Sequence, residues 1–193
     1  MKIRRFIASL VAITTLALSG CAGLSQSLQS AAGVGSIKSS VSGFDGKTEI
    51  SMENAWVANE GGGGIVQIGM AFRWNSASPN KVGIIVQVTS LNDFSNISSA
   101  TLNLDDAIEQ LEPVEALTTH EWIPAASMKS SDKMFIADLS LVRRMLTAKS
   151  LKIKVSSGRD YRVGDLRKDS FGNIVVKDKL PEFVAEIDKA IRK

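Results

Sequence analysis

The chain has 193 residues, with 23 basic and 20 acidic side chains, one cysteine and one histidine. A single cysteine excludes intramolecular disulfides, thiolate metal clusters and CxxC redox chemistry, and a single histidine excludes zinc sites built on paired histidines. The excess positive charge is carried by Lys2, Arg4 and Arg5 at the extreme N-terminus, so the rest of the chain is formally neutral and has no nucleic-acid footprint.

Those three cations precede an uncharged apolar run over 6–18. The run is shorter than the 20 or so residues a membrane-spanning helix needs, and it has the layout of a secretory signal peptide. It ends in Leu18-Ser19-Gly20-Cys21, which resembles the lipobox of bacterial lipoprotein precursors. The resemblance covers the first 21 residues and implies a diacylglycerol on the Cys21 thiol, cleavage before Cys21 and acylation of the new amino group. Two or more acyl chains at about 0.8 kcal/mol per buried methylene hold a protein firmly to a bilayer. Residue 22 is Ala22, where aspartate would resemble an inner-membrane retention signal. The expectation is therefore an outer-membrane lipoprotein facing the periplasm, or a cell-membrane one if the source has no outer membrane.

The stretch 21–43 is mostly Ser, Gly, Ala and Gln, too poor in large apolar groups to offset the entropy of ordering it, and reads as a tether. Its roughly 22 residues would reach on the order of 25 Å as a flexible coil. A single globular domain is expected over 44–193. Within it, Ile50, Met52 and Trp56 alternate with polar residues, as do Val66, Ile68, Met70, Phe72 and Trp74, which predicts two half-buried strands. Val82, Ile84, Val86 and Val88 predict a third, and Ile85 on its other phase suggests that both faces are covered.

Further strands are expected at 100–104, 107–111, 117–123 and 134–136. A short helix near 139–148 follows, capped by Asp138 or Ser140, with Leu141, Val142, Met145 and Leu146 at helical spacing. A hairpin over 151–166 turns at Gly158. Pro181-Glu182 predicts the start of a C-terminal helix carrying Phe183, Val184, Ile187, Ala190 and Ile191 on one stripe. The sum is a mainly β, α+β domain: an antiparallel sandwich or flattened barrel of seven to nine strands with two helices. The terminal amphipathic helix argues against an outer-membrane barrel, which ends on a strand.

Charge is unevenly spread: 22–136 holds 6 basic and 12 acidic residues, and 137–193 holds 14 and 8. The halves therefore attract each other, or the basic half meets an anionic lipid or polymer. The densest basic cluster, Arg159, Tyr161, Arg162, Arg167 and Lys168, is the candidate binding site for such a partner. No catalytic constellation emerges. His120 has neither a GxSxG elbow nor a free thiol to serve. Gly61-Gly62-Gly63-Gly64 lacks the Lys-Ser/Thr of a phosphate loop, and Asp105, Asp106 and Glu109 lack EF-hand spacing. Trp56, Trp74 and Trp122 fall on apolar strand phases and read as core. No metal or cofactor is expected. A non-catalytic binding or scaffolding module of the envelope is the leading expectation. The alternatives are a carboxylate-based hydrolase, which needs a concave pocket with convergent acids, and a carrier of an apolar ligand, which needs an internal cavity.

Overall fold

Alternating apolar residues over the first half of the domain become long strands that share one inward face. A computed structural model describes residues 27–60, 66–115, 117–124, 127–158, 160–168 and 173–192. In chain order these form a helical turn α1 (27–31), β1 (Ile37–Val41), β2 (Thr48–Asn59), β3 (Val66–Asn75), β4 (Lys81–Ser90), β5 (Ile97–Leu104), β6 (Ala107–Gln110), β7 (Glu112–Pro113), β8 (Thr119–Ile123), β9 (Met128–Asp138), α2 (Leu139–Thr147), β10 (Leu151–Ser157), β11 (Asp160–Asp165) and α3 (Val176–Ile191). The class is the one expected: mainly antiparallel β, with a short helix after β9 and a C-terminal helix. Eleven strands exceed the seven to nine anticipated because short pieces such as β1 and β7 carry little sequence signal.

The strands follow one path, β6-β5-β10-β11-β2-β3-β4-β9-β7, with β1 also on β2 and β8 also on β9. Its two ends, β6 and β7, are separated in sequence by Leu111 alone. That residue is buried, and its N–H bonds to the Ala100 carbonyl, while the Val114 N–H bonds to Met134 across the next strand. One stretch of chain therefore edges both β5 and β9 and curls the sheet around a single core. Lys133 points into the same seam, where its buried ammonium donates to the Ile97 carbonyl at 3.1 Å.

Phe72, Phe135, Met52, Met70, Ile68 and Ile84 fill the inside of the curl with no surface left exposed. Helix α2 adds Leu139, Val142 and Met145, and α3 adds Val176, Leu180, Phe183, Val184 and Ile187. The Phe183 ring meets that of Phe72 at 5.8 Å. Each such side chain contributes up to about 1.5–3 kcal/mol on leaving water, so the two helices act as lids on the core.

Three local expectations are corrected. The stretch 27–43 is part of the domain: the Gln29 amide donates to Asn173 at 2.6 Å and accepts from the Ile174 N–H at 2.9 Å, and β1 pairs with β2 from Ile37↔Met52 to Val41↔Thr48. A polar strand of this kind is held by its ladder rather than by its own burial, so composition could not announce it. Phe44, expected near the start of the core, is fully exposed at the tip of the β1–β2 turn. Only residues 22–26 separate Cys21 from α1, a covalent reach of at most about 20 Å. Next, a register shift between Met52 and Ala55 inverts the phase of β2, so Ala55 and Val57 face inward and Trp56 does not. Finally, α3 begins at Val176 instead of Pro181, because the Asp178 carboxylate accepts the Val175 N–H at 3.4 Å and starts the helix a turn and a half earlier.

Candidate functional site

The described residues of the basic cluster expected around the last hairpin fall at two ends of β11. Cys21 and Arg159 lie outside the described residues. Tyr161 and Arg162 sit at the start of β11, Arg167 and Lys168 beyond its end. Six residues of strand put roughly 20 Å between the two pairs. The Arg167 charge acts on Asp105 and Lys177. Lys177 itself donates to the Met145 carbonyl at 2.6 Å and to that of Leu146, capping α2. Burial, then the charge of Arg167, hold the Lys177 ammonium below its usual range. That end of β11 serves the fold. The charge imbalance between the halves is likewise met in part by ion pairs that join them: Lys152–Glu60 at 2.6 Å and Arg144–Glu109 at 2.8 Å.

Tyr161 and Arg162 line a cavity of about 270 Å³ together with Asn92, Asp93 and Phe94 of the β4–β5 loop and Asp160 of the hairpin. The loop is fixed from several sides. The Ser90 hydroxyl accepts the Asn92 N–H at 3.2 Å, Lys129 donates to the Asn92 carbonyl at 2.5 Å, and the Ser131 hydroxyl accepts the Ser95 N–H at 2.9 Å. Tyr161 and Phe94 are 63 % and 43 % exposed, and each ring carries a lysine ammonium, Lys154 at 4.4 Å and Lys129 at 5.5 Å.

A larger groove, unannounced by the sequence, crosses the outer face of β3, β4 and β9. Three cross-strand rows make its floor: Gly69–Gln87–Asp132, Ala71–Ile85–Met134 and Arg73–Gly83–Ile136. Glycine and alanine on β3 and β4 sink the middle, while β1 and β2 form one wall and Val114, Glu115 and Leu117 the other. The main part encloses about 720 Å³ and continues past Glu53, Arg73 and Met134 into a further 370 Å³. Ile85, whose phase suggested a second covered face, is instead half-buried in this floor, and exposed Val114 and Leu117 add apolar rim.

The polar groups of the groove are fixed by one another. Arg73 donates to the Met52 and Phe72 carbonyls at 3.0 and 3.1 Å and to Glu53 at 3.2 Å, and Lys38 meets the other Glu53 oxygen at 3.2 Å. Burial pushes the Glu53 carboxyl up, but the hydrogen bond from Lys38 and the charges of Arg73 and Lys38 outweigh it, holding the group below its usual range. Asp132 goes the other way. Burial raises it, and hydrogen bonds from Gln87 and Ser130 offset only part of that. The Asn54 amide lies across Gly69 and donates to Gln87 at 2.8 Å, completing a polar chain Asn54–Gln87–Asp132 over the sheet.

The remaining candidates resolve individually. His120 is exposed, with Nδ1 3.1 Å from the Ser131 hydroxyl and its ring against Phe94 at 5.0 Å. Ser131 has no exposed surface, so no substrate carbonyl reaches it and the pair is structural. Asp105 and Asp106 both have positive φ and form a two-residue hairpin turn. Asp105 accepts the Ser150 and Lys149 N–H groups at 2.7 and 3.2 Å, which with those bonds as the main cause hold it below the usual carboxylate range. Trp74 is core, donating from Nε1 to the Pro79 carbonyl at 3.0 Å, whereas Trp122 is 48 % exposed. The glycine run 61–64 lies outside the described residues. No protein-family model, curated protein or solved structure matches the chain.

Proposed function

We propose that this chain is a lipid-anchored cell-envelope protein, attached through Cys21 and facing the periplasm from the outer membrane, whose β domain binds a partner and is not a catalyst. The reading of the anchor rests on the lipobox-like residues 18–21. The reading of a binding module rests on one observation: an outer groove of about 720 Å³, within the 300–1,000 Å³ range of ligand sites, whose floor keeps Met134 and Ile136 partly in water, as its extension keeps Ile85. Apolar residues on both faces of β4 and β9 favour a partner on the outer one. The inner face is already filled by Phe72, Phe135 and Phe183, which weighs against a carrier of apolar ligands inside the curl. The proposed partner is an envelope protein or an anionic polymer of the envelope, not a nucleic acid.

A second reading is favoured by the carboxylates. Glu53, Glu115 and Asp132 line the same extension of the groove, with Glu53 held below and Asp132 above the usual range. Carboxylates set apart in this way within one groove are one feature that carboxylate hydrolases use.

The test is photocross-linking of the full-length protein in intact envelopes, with the cross-linker at Ser51 or Ile136 in the groove and at exposed Ser140 on α2 as the control. A discrete adduct from the two groove positions and not from Ser140 is expected. Groove adducts no stronger than the control overturn the binding reading. Loss of a hydrolytic activity on Asp132→Asn, with the adduct retained, establishes the second.

A further inference from the structure

We infer that the cavity at the tip of the β10–β11 hairpin is a saccharide site that takes one uncharged sugar ring. It is separate from the outer groove and does not depend on it. The argument starts from size. A cavity of about 270 Å³ lies just under the range of drug-sized ligand sites, so its occupant is a single ring or one unit of a longer chain.

Chemistry narrows it further. Two aromatic side chains, Tyr161 and Phe94, contribute to the lining while keeping much of their surface in water. Burial of an aromatic ring is favourable, so an exposed pair sharing one cavity leaves apolar surface that a ligand can cover. The negative face of an aromatic ring favours the weakly positive C–H groups that line one side of a pyranose. Around the rings stand two carboxylates, Asp93 and Asp160, one guanidinium, Arg162, and the amide of Asn92. Two acids, the guanidinium and the Lys154 and Lys129 ammoniums on the rings nearly balance in charge, and give acceptors and donors together. Hydroxyl groups both donate and accept, and a ring bearing several of them satisfies this set without introducing charge.

The loop that carries Asn92, Asp93 and Phe94 is held by Ser90, Lys129 and Ser131, so little ordering entropy remains to be lost on binding. Lys154 over Tyr161 and Lys129 near Phe94 steady the two rings in the same way.

The experiment is isothermal titration of the full-length, detergent-purified protein with neutral oligosaccharides of the cello, malto and chito series, and with dextran sulfate as the anionic probe. At least one neutral series binds. Tyr161→Ala and Asp160→Asn each weaken that binding tenfold or more, Tyr161→Phe retains it because the ring and not the hydroxyl is used, and Arg73→Ala in the groove leaves it unchanged. Circular dichroism checks that the variants fold. Three results overturn the inference: no neutral oligosaccharide binds; dextran sulfate alone binds and is weakened by Arg162→Ala but not by Tyr161→Ala; or Tyr161→Phe loses as much as Tyr161→Ala.

Discussion

Replacing Gly69 by alanine tests whether the polar chain over the sheet is built as described. In an ordinary strand, Gly→Ala is stabilising by about 0.5–1 kcal/mol, because glycine loses more freedom on folding. Here the added methyl would stand 2.3 Å from Asn54 Nδ2 and 2.4 Å from Oδ1. Asn54 has to swing away, giving up its 2.8 Å bond to Gln87. The lost bond costs about 0.5–1.5 kcal/mol, and displacing a side chain anchored in a bulge costs about 0.5–1.5 kcal/mol more. Gly69→Ala is therefore expected to destabilise the protein by about 1 kcal/mol, whereas in an Asn54→Ala background the same change is expected to stabilise it by about 0.5–1 kcal/mol. Urea unfolding of the four proteins gives the coupling directly. Effects of Gly69→Ala that agree within about 0.5 kcal/mol in the two backgrounds would refute the reasoning.

Three further outcomes are expected. Asp132 has a folded-state pKa above its unfolded one, so the folded state holds the proton more tightly and stability falls as pH rises from the ordinary aspartate value through the raised one. Asp132→Asn should remove that fall, with a gap in melting temperature over wild type that opens through this window and stays level above it; a gap that closes with rising pH contradicts the assignment. Phe183→Ala, which empties a fully buried position against Phe72, should lower unfolding free energy by about 3–5 kcal/mol in a denaturant titration. Cys21→Ser should abolish flotation with membranes and the acyl mass on the N-terminal peptide, and a protein that still floats would argue against the proposed anchor.

The strands were legible wherever alternation was uninterrupted. β3, β4, β10 and α2 lie where their patterns put them, because each buries one face of its own residues, and β11 follows β10 through the Gly158 turn. The misreadings share a cause: information that resides in a partner strand. β1 depends on the β2 ladder, and Trp56 changes face because of a bulge that no local pattern marks. The groove was illegible for the same reason. Its floor joins residues 71, 85 and 134, which meet only through strand register. The hairpin end cavity was half legible, since Tyr161 and Arg162 stood out in the sequence, while Asn92, Asp93 and Phe94 gave no sign that they would face them. Arg167 and Lys168 were grouped with that pair by proximity in the chain, and strand length carries them away.

The strand path also bears on how the chain reaches its native state. β2, β3 and β4 meet through short connections, and β9 joins them after one excursion, so most of the sheet assembles from near neighbours. β11 is different: it pairs with β2 at Gly164↔Asn59 and Asp165↔Ala58, across more than a hundred residues. Contacts of that separation are slow to form. Since α3 follows β11 and supplies Phe183 to the core, the far end of β2, beyond its pairing with β1, and the apolar interior stay open until the last part of the chain has arrived. The molecule is thus most vulnerable to aggregation in the interval before its C-terminal segment docks, and variants that slow that docking should be rescued by slower synthesis or lower temperature more than variants in the β3–β4 hairpin.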